Sequence, residues 1–339
     1  MKEEKFDLQD ISIIPTIISD IKNRKECNTR LEGNLLPLMA SPMDTVVCQD
    51  NVHTFLLNGI IPCLPRNEYV DKFRDSIFHS FGLNEIELQL SNSKNRVSKD
   101  FRTFNKILID IANGHMLRLV DVVKKIKENY PRIKLMVGNI GHPLTYKNLA
   151  MAGADYVRCS IGTGCTTAAV AINYPIGSLI HECRKIKREG GFTTKIVADG
   201  GMQGFDDILK ALALGADYAI IGSLLNKAMQ SAGSNHLWGI KLNYNIAKKL
   251  WRWGLPVKKK YRGMSTKAVQ RKWGKTKLIT AEEITKYQKI EYNLSQWVEN
   301  FEDYLRSSMS YCGARNLDEF IGEVEWEFIT NNALRRFMK

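Results

Sequence analysis

Several features are missing from this chain of 339 residues, and each absence argues against one class of protein or site. No stretch approaches the roughly 18 apolar residues that a membrane-spanning helix needs, and the first five residues include two acids instead of an apolar signal core. None of the seven cysteines forms a Cys-x-x-Cys pair, which disfavours zinc and dithiol motifs. No Gly-x-Gly-x-x-Gly follows an early strand, which counts against a Rossmann domain. We therefore expect a soluble, cytoplasmic protein with reduced cysteines and no membrane partner.

The charge is strongly one-sided, with a formal net charge of +13. Much of the excess lies in the C-terminal third, as at Lys248-Lys249 and Lys258-Lys259-Lys260. Such a field attracts nucleotide phosphates and also nucleic acids. A nucleic-acid-binding protein is therefore one alternative, with Trp251, Trp253 and Trp273 as a rough stacking platform. We favour an ordinary basic surface with packed tryptophans and do not expect nucleic acid as the partner.

Eight short apolar runs alternate with helical patterns in the first two thirds of the chain. They cover residues 36–40, 59–64, 76–81, 106–111, 134–137, 156–159, 195–198 and 218–221. Strands that are apolar throughout, without alternation, indicate a parallel sheet covered by helices. Eight such units within about 190 residues predict a closed (β/α)8 barrel, the TIM-barrel fold. A doubly wound open sheet is the alternative.

The pattern changes after residue 224. A basic segment, residues 224–260, precedes Tyr261-Arg262-Gly263-Met264, and a charged, loop-like stretch then runs to about residue 289. A last helical region covers residues 294–309. We interpret residues 224–293 as an insertion or flap at the barrel mouth and the last region as a closing helix, so that residues 1–339 form one catalytic domain.

Polar and glycine-rich residues follow the predicted strands, and TIM barrels carry their active sites at these strand ends. They are Ser41 to Asp44, Asp110 to His115, Gly138-Asn139, Ser160 to Thr167, Asp199-Gly200-Gly201 and Gly222-Ser223. Cys165 in the glycine-rich loop after the sixth strand is a candidate nucleophile, and Asp199 can accept hydrogen bonds from two ribose hydroxyls. The alternatives are a small residue in a tight turn for Cys165 and a helix N-cap for Asp199.

Taken in order, these motifs resemble the IMP dehydrogenase/GMP reductase family along nearly the whole chain. Residues 6–15 and 37–46 are similar to the N-terminal segment and first-strand motif of that family, and residues 261–264 and 308–313 follow in the family's order. The resemblance implies a (β/α)8 barrel that assembles as a homotetramer. It also implies a purine nucleoside monophosphate, GMP or IMP, as substrate, and a nicotinamide cofactor.

The resemblance further implies the catalytic residues. Cys165 would attack the purine C2 and form a covalent thioimidate-type adduct, since a thiolate makes this carbon tetrahedral for hydride transfer. Thr167 and Glu282 would handle the proton or the leaving group at C2. Glu283 is the alternative to Glu282, and the less favoured interpretation of both is a solvated acid in a charged loop.

The binding residues follow from the same resemblance. Asp199 would hold the ribose hydroxyls, and Gly263 and Met264 would face the base. Gly200, Gly201, Gly222, Ser223 and Tyr261 would surround the 5′-phosphate. Ser41 and Met43 complete the substrate-binding set, and Asp110, Asn113 and Gly114 would lie near the cofactor.

Two reactions of the family remain open. GMP reductase converts GMP and NADPH to IMP and ammonia. IMP dehydrogenase converts IMP, NAD and water to XMP, and it needs an Arg-Tyr pair on a long flap to activate the water. Here a short segment carries Arg271-Lys272-Trp273-Gly274 instead. In addition, too few residues separate the second and fourth strands along the chain to accommodate a regulatory CBS insert. These features favour the reductase with NADPH, whereas Ser41 to Asp44 and Tyr261 to Met264 look more like the dehydrogenase with NAD.

The loop before Cys165 departs from the family pattern. Gly162-Thr163-Gly164 runs directly into Cys165, where the family has two more residues. The change removes a serine that is expected to contact the phosphate, and it alters the site of a monovalent cation, K⁺, near Gly162, Gly164 and Cys165. A nucleotide-binding barrel that has lost its catalysis is therefore an alternative, and a flavin-dependent barrel oxidoreductase is another.

Overall fold

Eight parallel strands close into a barrel in the computed structural model, which describes residues 4–91, 99–161, 172–264, 266–272, 276–277 and 285–337. In chain order the first nine strands are β1 (Ile11–Ile13), β2 (Leu38–Ala40), β3 (Ile61–Leu64), β4 (Phe78–Phe81), β5 (Lys106–Asp110), β6 (Lys134–Ile140), β7 (Tyr156–Cys159), β8 (Lys195–Asp199) and β9 (Tyr218–Ile221). Strands β2 to β9 form the barrel, and β9 closes it by pairing in parallel with β2.

The barrel confirms the predicted fold. Each of the eight predicted strands overlaps one barrel strand. β6 runs three residues further than predicted, to Ile140, and β8 runs one residue further, to Asp199. All residues of β2, β3 and β4 are buried, as expected for strands that are covered on both faces. The pairing of Leu38 with Ala219 across the closure excludes the open-sheet alternative.

Helices cover the outside of the barrel and its ends. They are α1 (Val52–Leu57), α2 (Leu83–Leu90), α3 (Leu117–Asn129), α4 (Pro143–Met151), α5 (Ile176–Glu189), α6 (Phe205–Ala213), α7 (Ser223–Asn226), α8 (Tyr244–Arg252), α9 (Lys267–Lys272), α10 (Leu294–Cys312), α11 (Leu317–Phe320) and α12 (Asn331–Phe337). Gly215 ends the turn after α6 with φ of +112°, where a Cβ would lie 2.5 Å from Arg184 Cγ. None of the described helices combines the length and the apolar composition that a bilayer crossing requires.

The inside of the barrel is a packed core. Its buried side chains come from seven strands and are Met39, Ile61, Cys63, Phe78, Leu108, Met136, Val197 and Ile220. Tyr156 of β7 packs against this cluster, and Arg158 lies two residues further along the same strand. Because side chains fill the interior, a ligand site has to lie at the mouth of the barrel.

The insertion after β9 contains four strands, β10 (Asn235–Leu237), β11 (Ile240–Leu242), β12 (Lys258–Arg262) and β13 (Thr285–Lys289). They form an antiparallel sheet in the order β11-β10-β12-β13. The prediction of a loop-like stretch up to residue 289 is wrong for β13, because a lysine-rich strand that pairs with another lysine-rich strand shows no apolar periodicity. The predicted helix over residues 294–309 is confirmed as α10. The remaining strand, β14 (Trp326–Phe328), pairs antiparallel with β1.

Candidate active site

A buried arginine joins two of the predicted site carboxylates at the top of the barrel. Arg158 on β7 is 5% exposed, and its Nε and Nη2 donate hydrogen bonds to Asp199 Oδ2 at 2.9 and 2.6 Å. Its Nη1 donates to Asp110 Oδ1 at 2.7 Å. Burial by itself lowers the pKa of Arg158, but the two carboxylates more than offset this and raise it above its usual value. One guanidinium therefore fixes the ends of β5 and β8 relative to each other.

Asp199 is also oriented by an amide. Asn139 Nδ2 donates to Asp199 Oδ2 at 2.6 Å and to the Ser160 backbone oxygen at 2.7 Å. Among the described residues, the hydrogen bonds to this carboxylate that involve Asn139 and Arg158 all end on Oδ2. Charge-assisted bonds of this length are among the stronger ones in proteins. The carboxylate is thus held in one orientation, with its other oxygen directed elsewhere.

The loop after β2 meets the end of β9 and the insertion. Ser41 N donates to the Ile221 oxygen at 3.0 Å, and Tyr261 Oη lies 3.7 Å from Met43 Sδ. A Cβ on Gly222 would approach Met43 Sδ to 2.9 Å and Tyr261 Oη to 3.7 Å, so only glycine fits without displacing its neighbours. Four predicted substrate-binding residues, Ser41, Met43, Gly222 and Tyr261, therefore lie together.

An ion pair connects β12 to the loop after β2. Arg262 Nε donates to Asp44 Oδ1 at 3.0 Å, and its Nη2 contacts Asp44 Oδ2. The side chain of Asn226 donates to the backbone oxygens of Thr45 at 2.8 Å and Lys260 at 3.2 Å. Adjacent residues of β12 thus dock on adjacent residues of the β2 loop, which holds Tyr261 at the barrel mouth.

The predicted cofactor residues lie next to the arginine bridge. Gly114 N donates to the Asn139 oxygen at 2.8 Å, and a Cβ on Gly114 would lie 2.6 Å from that oxygen. Asn113 Oδ1 accepts a hydrogen bond from His115 N at 3.0 Å. Asn139 therefore contacts both Asp199 and the Gly114 turn, so the predicted ribose and cofactor residues belong to one connected cluster.

Sequence reasoning missed three residues of this cluster. Arg158 is the lone cation in the run 156–159, and a buried charge requires a buried partner, so its position alone could have pointed to Asp110 and Asp199. The second missed residue is Arg66, whose Nε lies 3.9 Å from Asp110 Oδ2.

The third missed residue, His115, was quoted in a motif but given no role. Its Nε2 accepts from Gly141 N at 2.9 Å, and its Nδ1 lies 2.9 Å from Thr145 Oγ1. Burial, and secondarily His142, lower the pKa of His115, which favours the neutral ring. Its role is to fasten the loop after β5 to the loop after β6.

The remaining predicted residues divide into two groups. Gly200 and Gly201 follow β8 with φ of +85° and +81°, Ser223 begins α7, and Gly263 and Met264 continue from β12. Cys165, Thr167 and Glu282, with Gly162, Gly164 and the alternative Glu283, lie outside the described residues.

The described cysteines are free thiols. Cys27, Cys63, Cys159 and Cys183 are buried, and none of the described cysteines forms a disulfide. Burial inside the barrel raises the pKa of Cys63 to about 12. A buried thiol of this kind stays protonated at neutral pH, so Cys63 is unsuited to replace Cys165 as the nucleophile.

A family model described as the IMP dehydrogenase / GMP reductase domain matches residues 91–337. The chain belongs to this family. The resemblance carried by the strand-end motifs is thereby confirmed, and the Asp110–Arg158–Asp199 bridge lies within the matched range.

Relatives of two kinds are similar to the chain. The inosine-5′-monophosphate dehydrogenase of Chlorobaculum parvum is 33% identical over 233 residues, which are 68% of this chain and 46% of that enzyme. The GMP reductase of Lactobacillus delbrueckii is 26% identical over 349 aligned residues, or 98% of this chain and 97% of that enzyme. A GMP reductase of Onchocerca volvulus is 26% identical over 94% of this chain. The chain spans about half the length of the dehydrogenases that it matches and nearly the whole length of the reductases.

Proposed function

We propose that the chain is a purine nucleotide oxidoreductase that acts as a GMP reductase, converting GMP and NADPH to IMP, ammonia and NADP. The observation that carries the reductase assignment is the extent of similarity, which covers 97% of the Lactobacillus reductase against 46% of the Chlorobaculum dehydrogenase. The Arg271-Lys272-Trp273-Gly274 sequence, in place of the water-activating Arg-Tyr pair, supports the same direction.

Asp199 would hold the nucleotide by its ribose. Because the hydrogen bonds from Arg158 and Asn139 end on Oδ2, Oδ1 is the oxygen that would accept from the hydroxyls. The 5′-phosphate would lie beside the backbone of Gly200, Gly201, Gly222 and Ser223 and beside Tyr261. The Lys286 ammonium, 5.3 Å from the Tyr261 ring centre, adds positive charge there.

The chemistry at the purine would belong to residues assigned by family resemblance. Cys165 would attack C2, and the adduct would divide one difficult displacement into two easier steps. Thr167 and Glu282 would deliver a proton to the C2 amino group, which leaves as ammonia when the C2–N bond of the adduct breaks. Ser41 and Met43 at the β2 loop, with the backbone of Gly263 and Met264, would position the base.

The residues beside Asp110 fit a nicotinamide cofactor. Asp110 Oδ2 lies 3.9 Å from Arg66 Nε, and Asn113 is exposed next to the Gly114 turn, so carboxylate, guanidinium and amide groups lie at one edge. Such groups match the hydroxyls, phosphates and carboxamide of the cofactor. The cofactor supplies the hydride, and the chain's own residues supply orientation and electrostatics.

IMP dehydrogenase is the second candidate, because the Chlorobaculum dehydrogenase is more identical, at 33%, than the reductases at 26%. That reaction would use NAD and water, and a K⁺ ion near Gly162, Gly164 and Cys165 would accompany it.

For either reaction we propose a homotetramer, which sedimentation analysis of the full chain would test.

The experiment is a paired absorbance assay at the NADPH band, with GMP and NADPH in one cell and IMP and NAD in the other. Oxidation of NADPH in the first cell alone supports the reductase. Reduction of NAD in the second alone reverses the direction. If neither pair reacts while the chain binds GMP, the chain is a nucleotide-binding barrel without this chemistry.

A further inference from the structure

The insertion after the barrel carries the whole positive excess of the chain. Residues 224–293 contain 16 lysines and arginines and three acidic residues, Glu282, Glu283 and Glu291. Removing these from the totals of 49 and 36 leaves 33 basic and 33 acidic residues in the rest of the chain. The positive charge is therefore a local property of the insertion and not a general property of the protein surface.

The register of the four-stranded sheet assigns its residues to two faces, because directly paired residues point to the same side. Lys259 pairs with Asn235 and with Gln288, and Lys259 is 1% exposed, so this row points inward. Leu237 also points inward, where it packs with Ala247 of α8. The alternate residues of each strand must then point to the other face, which we call the outer face.

The outer face displays a row of basic and aromatic side chains. Lys241, His236, Lys258 and Lys289 are paired in sequence across all four strands. Lys260 and Tyr287 form the next pair along β12 and β13. At a strand spacing of about 4.8 Å the row extends for about 14 Å, which is longer than one phosphate group requires.

Two rings lie among these lysines. The rings of His236 and Tyr287 are 4.8 Å apart in an edge-to-face arrangement, and Tyr287 is 50% exposed. Within the four described strands, the outer positions of the row hold neither an acidic nor an aliphatic side chain. A face of this composition offers ring surfaces for bases and ammonium groups for phosphates.

We propose that the outer face binds single-stranded nucleic acid. Lysines 241, 258, 260 and 289 contact the phosphates, and Tyr287, braced by His236, stacks with a base. A single strand is favoured over a duplex because stacking on Tyr287 requires an unpaired base. A membrane surface is disfavoured because the exposed Ile240 pairs with Leu237 and so lies on the opposite face.

The register is what changes the interpretation of these lysines. From composition alone an ordinary solvated surface is favoured, since the sequence does not reveal which lysines share a face. The proposed phosphate and base contacts lie on the opposite face of the sheet from Tyr261, which the same sheet contributes to the proposed catalytic site. The proposal therefore does not depend on the oxidoreductase assignment.

The test is fluorescence anisotropy of a labelled 20-nucleotide oligo(dT) with the full chain, from 50 to 200 mM NaCl. The double variant Lys258→Gln/Lys289→Gln is compared with Lys124→Gln/Lys125→Gln, which removes the same charge from the exposed side of α3. Each lost phosphate contact lowers the slope of log K against log[salt] by about 0.7. We expect the sheet variant to lose about 1.4 in slope and at least tenfold in affinity, and the α3 variant to bind like wild type.

Substitution of the ring separates base stacking from charge. Tyr287→Ala is expected to weaken oligo(dT) binding by about tenfold and to leave inorganic polyphosphate binding unchanged, and Tyr287→Leu repeats the test with a bulkier side chain. The proposal is overturned if wild type does not bind at 50 mM NaCl, or if both double variants weaken binding equally. It is also overturned if Tyr287→Ala and Tyr287→Leu bind oligo(dT) like wild type, or if phosphatidylserine vesicles displace the oligonucleotide from wild type and Tyr287→Ala alike.

Discussion

The guanidinium of Arg158 donates two hydrogen bonds to a single oxygen of Asp199, at 2.9 and 2.6 Å, and both side chains are buried. The same guanidinium donates to Asp110 on β5, a strand three positions away from β8, which carries Asp199. The carboxylate proposed for the ribose and the carboxylate proposed for the cofactor therefore share one cation. Arg158 therefore fixes the two carboxylates relative to each other.

Replacement of Arg158 by methionine should weaken both stability and binding. Losing one partner of a buried ion pair leaves uncompensated charge and costs about 3–5 kcal/mol. Arg158→Lys keeps the charge but loses the planar fork, so it should restore part of the stability and little of the nucleotide affinity. Urea unfolding and the KM for GMP measure the two effects.

The matched control for this arginine is Arg118→Met, which removes an exposed partner of Glu87. Surface pairs contribute little, so its urea midpoint should match wild type. If Arg158→Met unfolds at the same urea concentration as Arg118→Met, the buried bridge does not stabilise the barrel.

Asp199→Asn should raise the KM for GMP by about tenfold to a hundredfold, because an acceptor for the ribose hydroxyls loses its charge. With 2′-deoxy-GMP the same substitution should raise the KM by a smaller factor, since this nucleotide already lacks one of the two hydroxyls. Steady-state kinetics with both nucleotides give the comparison. An equal loss with the two nucleotides would show that Asp199 acts elsewhere than on the ribose.

Gly114→Ala should weaken binding of the cofactor and leave binding of the nucleotide nearly unchanged. Its Cβ would lie 2.6 Å from the Asn139 oxygen and 2.8 Å from Ile140 Cγ2, so the turn that presents Asn113 must shift. We expect the KM for NADPH to rise several-fold while the KM for GMP changes little. The reverse pattern, a rise confined to GMP, would contradict the assignment of this loop to the cofactor.

The free energy of unfolding of the protein should rise between pH 7 and 8.5, because Lys259 has a lower pKa in the folded chain than in the unfolded chain. Burial lowers the pKa of this lysine to about 7, whereas an unfolded chain has a lysine pKa near 10.4. Between these values the unfolded chain binds a proton that the folded chain has released, so the free energy of unfolding increases with pH. Urea midpoints at pH 7.0 and 8.5 measure this increase.

Lys259→Met should remove that rise and should be more stable than wild type at pH 7. Lys258→Met, on the exposed face of the same strand, serves as the control and should keep the rise. A pH dependence that is the same in both variants would assign the effect to other groups.

The barrel could be predicted because each of its strands is an apolar run whose burial leaves a direct mark on the sequence. The Gly114 turn and the Met43–Tyr261 contact could be placed only through family resemblance. Arg158 could not be assigned, because its partners lie 41 and 48 positions away along the chain and meet only when the barrel closes. β13 was missed for a related reason, since lysine-rich strands carry no apolar period.

The most direct test of the central claim compares wild type with Cys165→Ser in two measurements, GMP binding by calorimetry and NADPH oxidation by absorbance. The account predicts that the variant binds GMP within about threefold of wild type, as the Asp199 site is intact, and oxidises NADPH at least a thousandfold more slowly. A Cys165→Ser variant that oxidises NADPH as fast as wild type would contradict the covalent mechanism and the proposed reductase site with it.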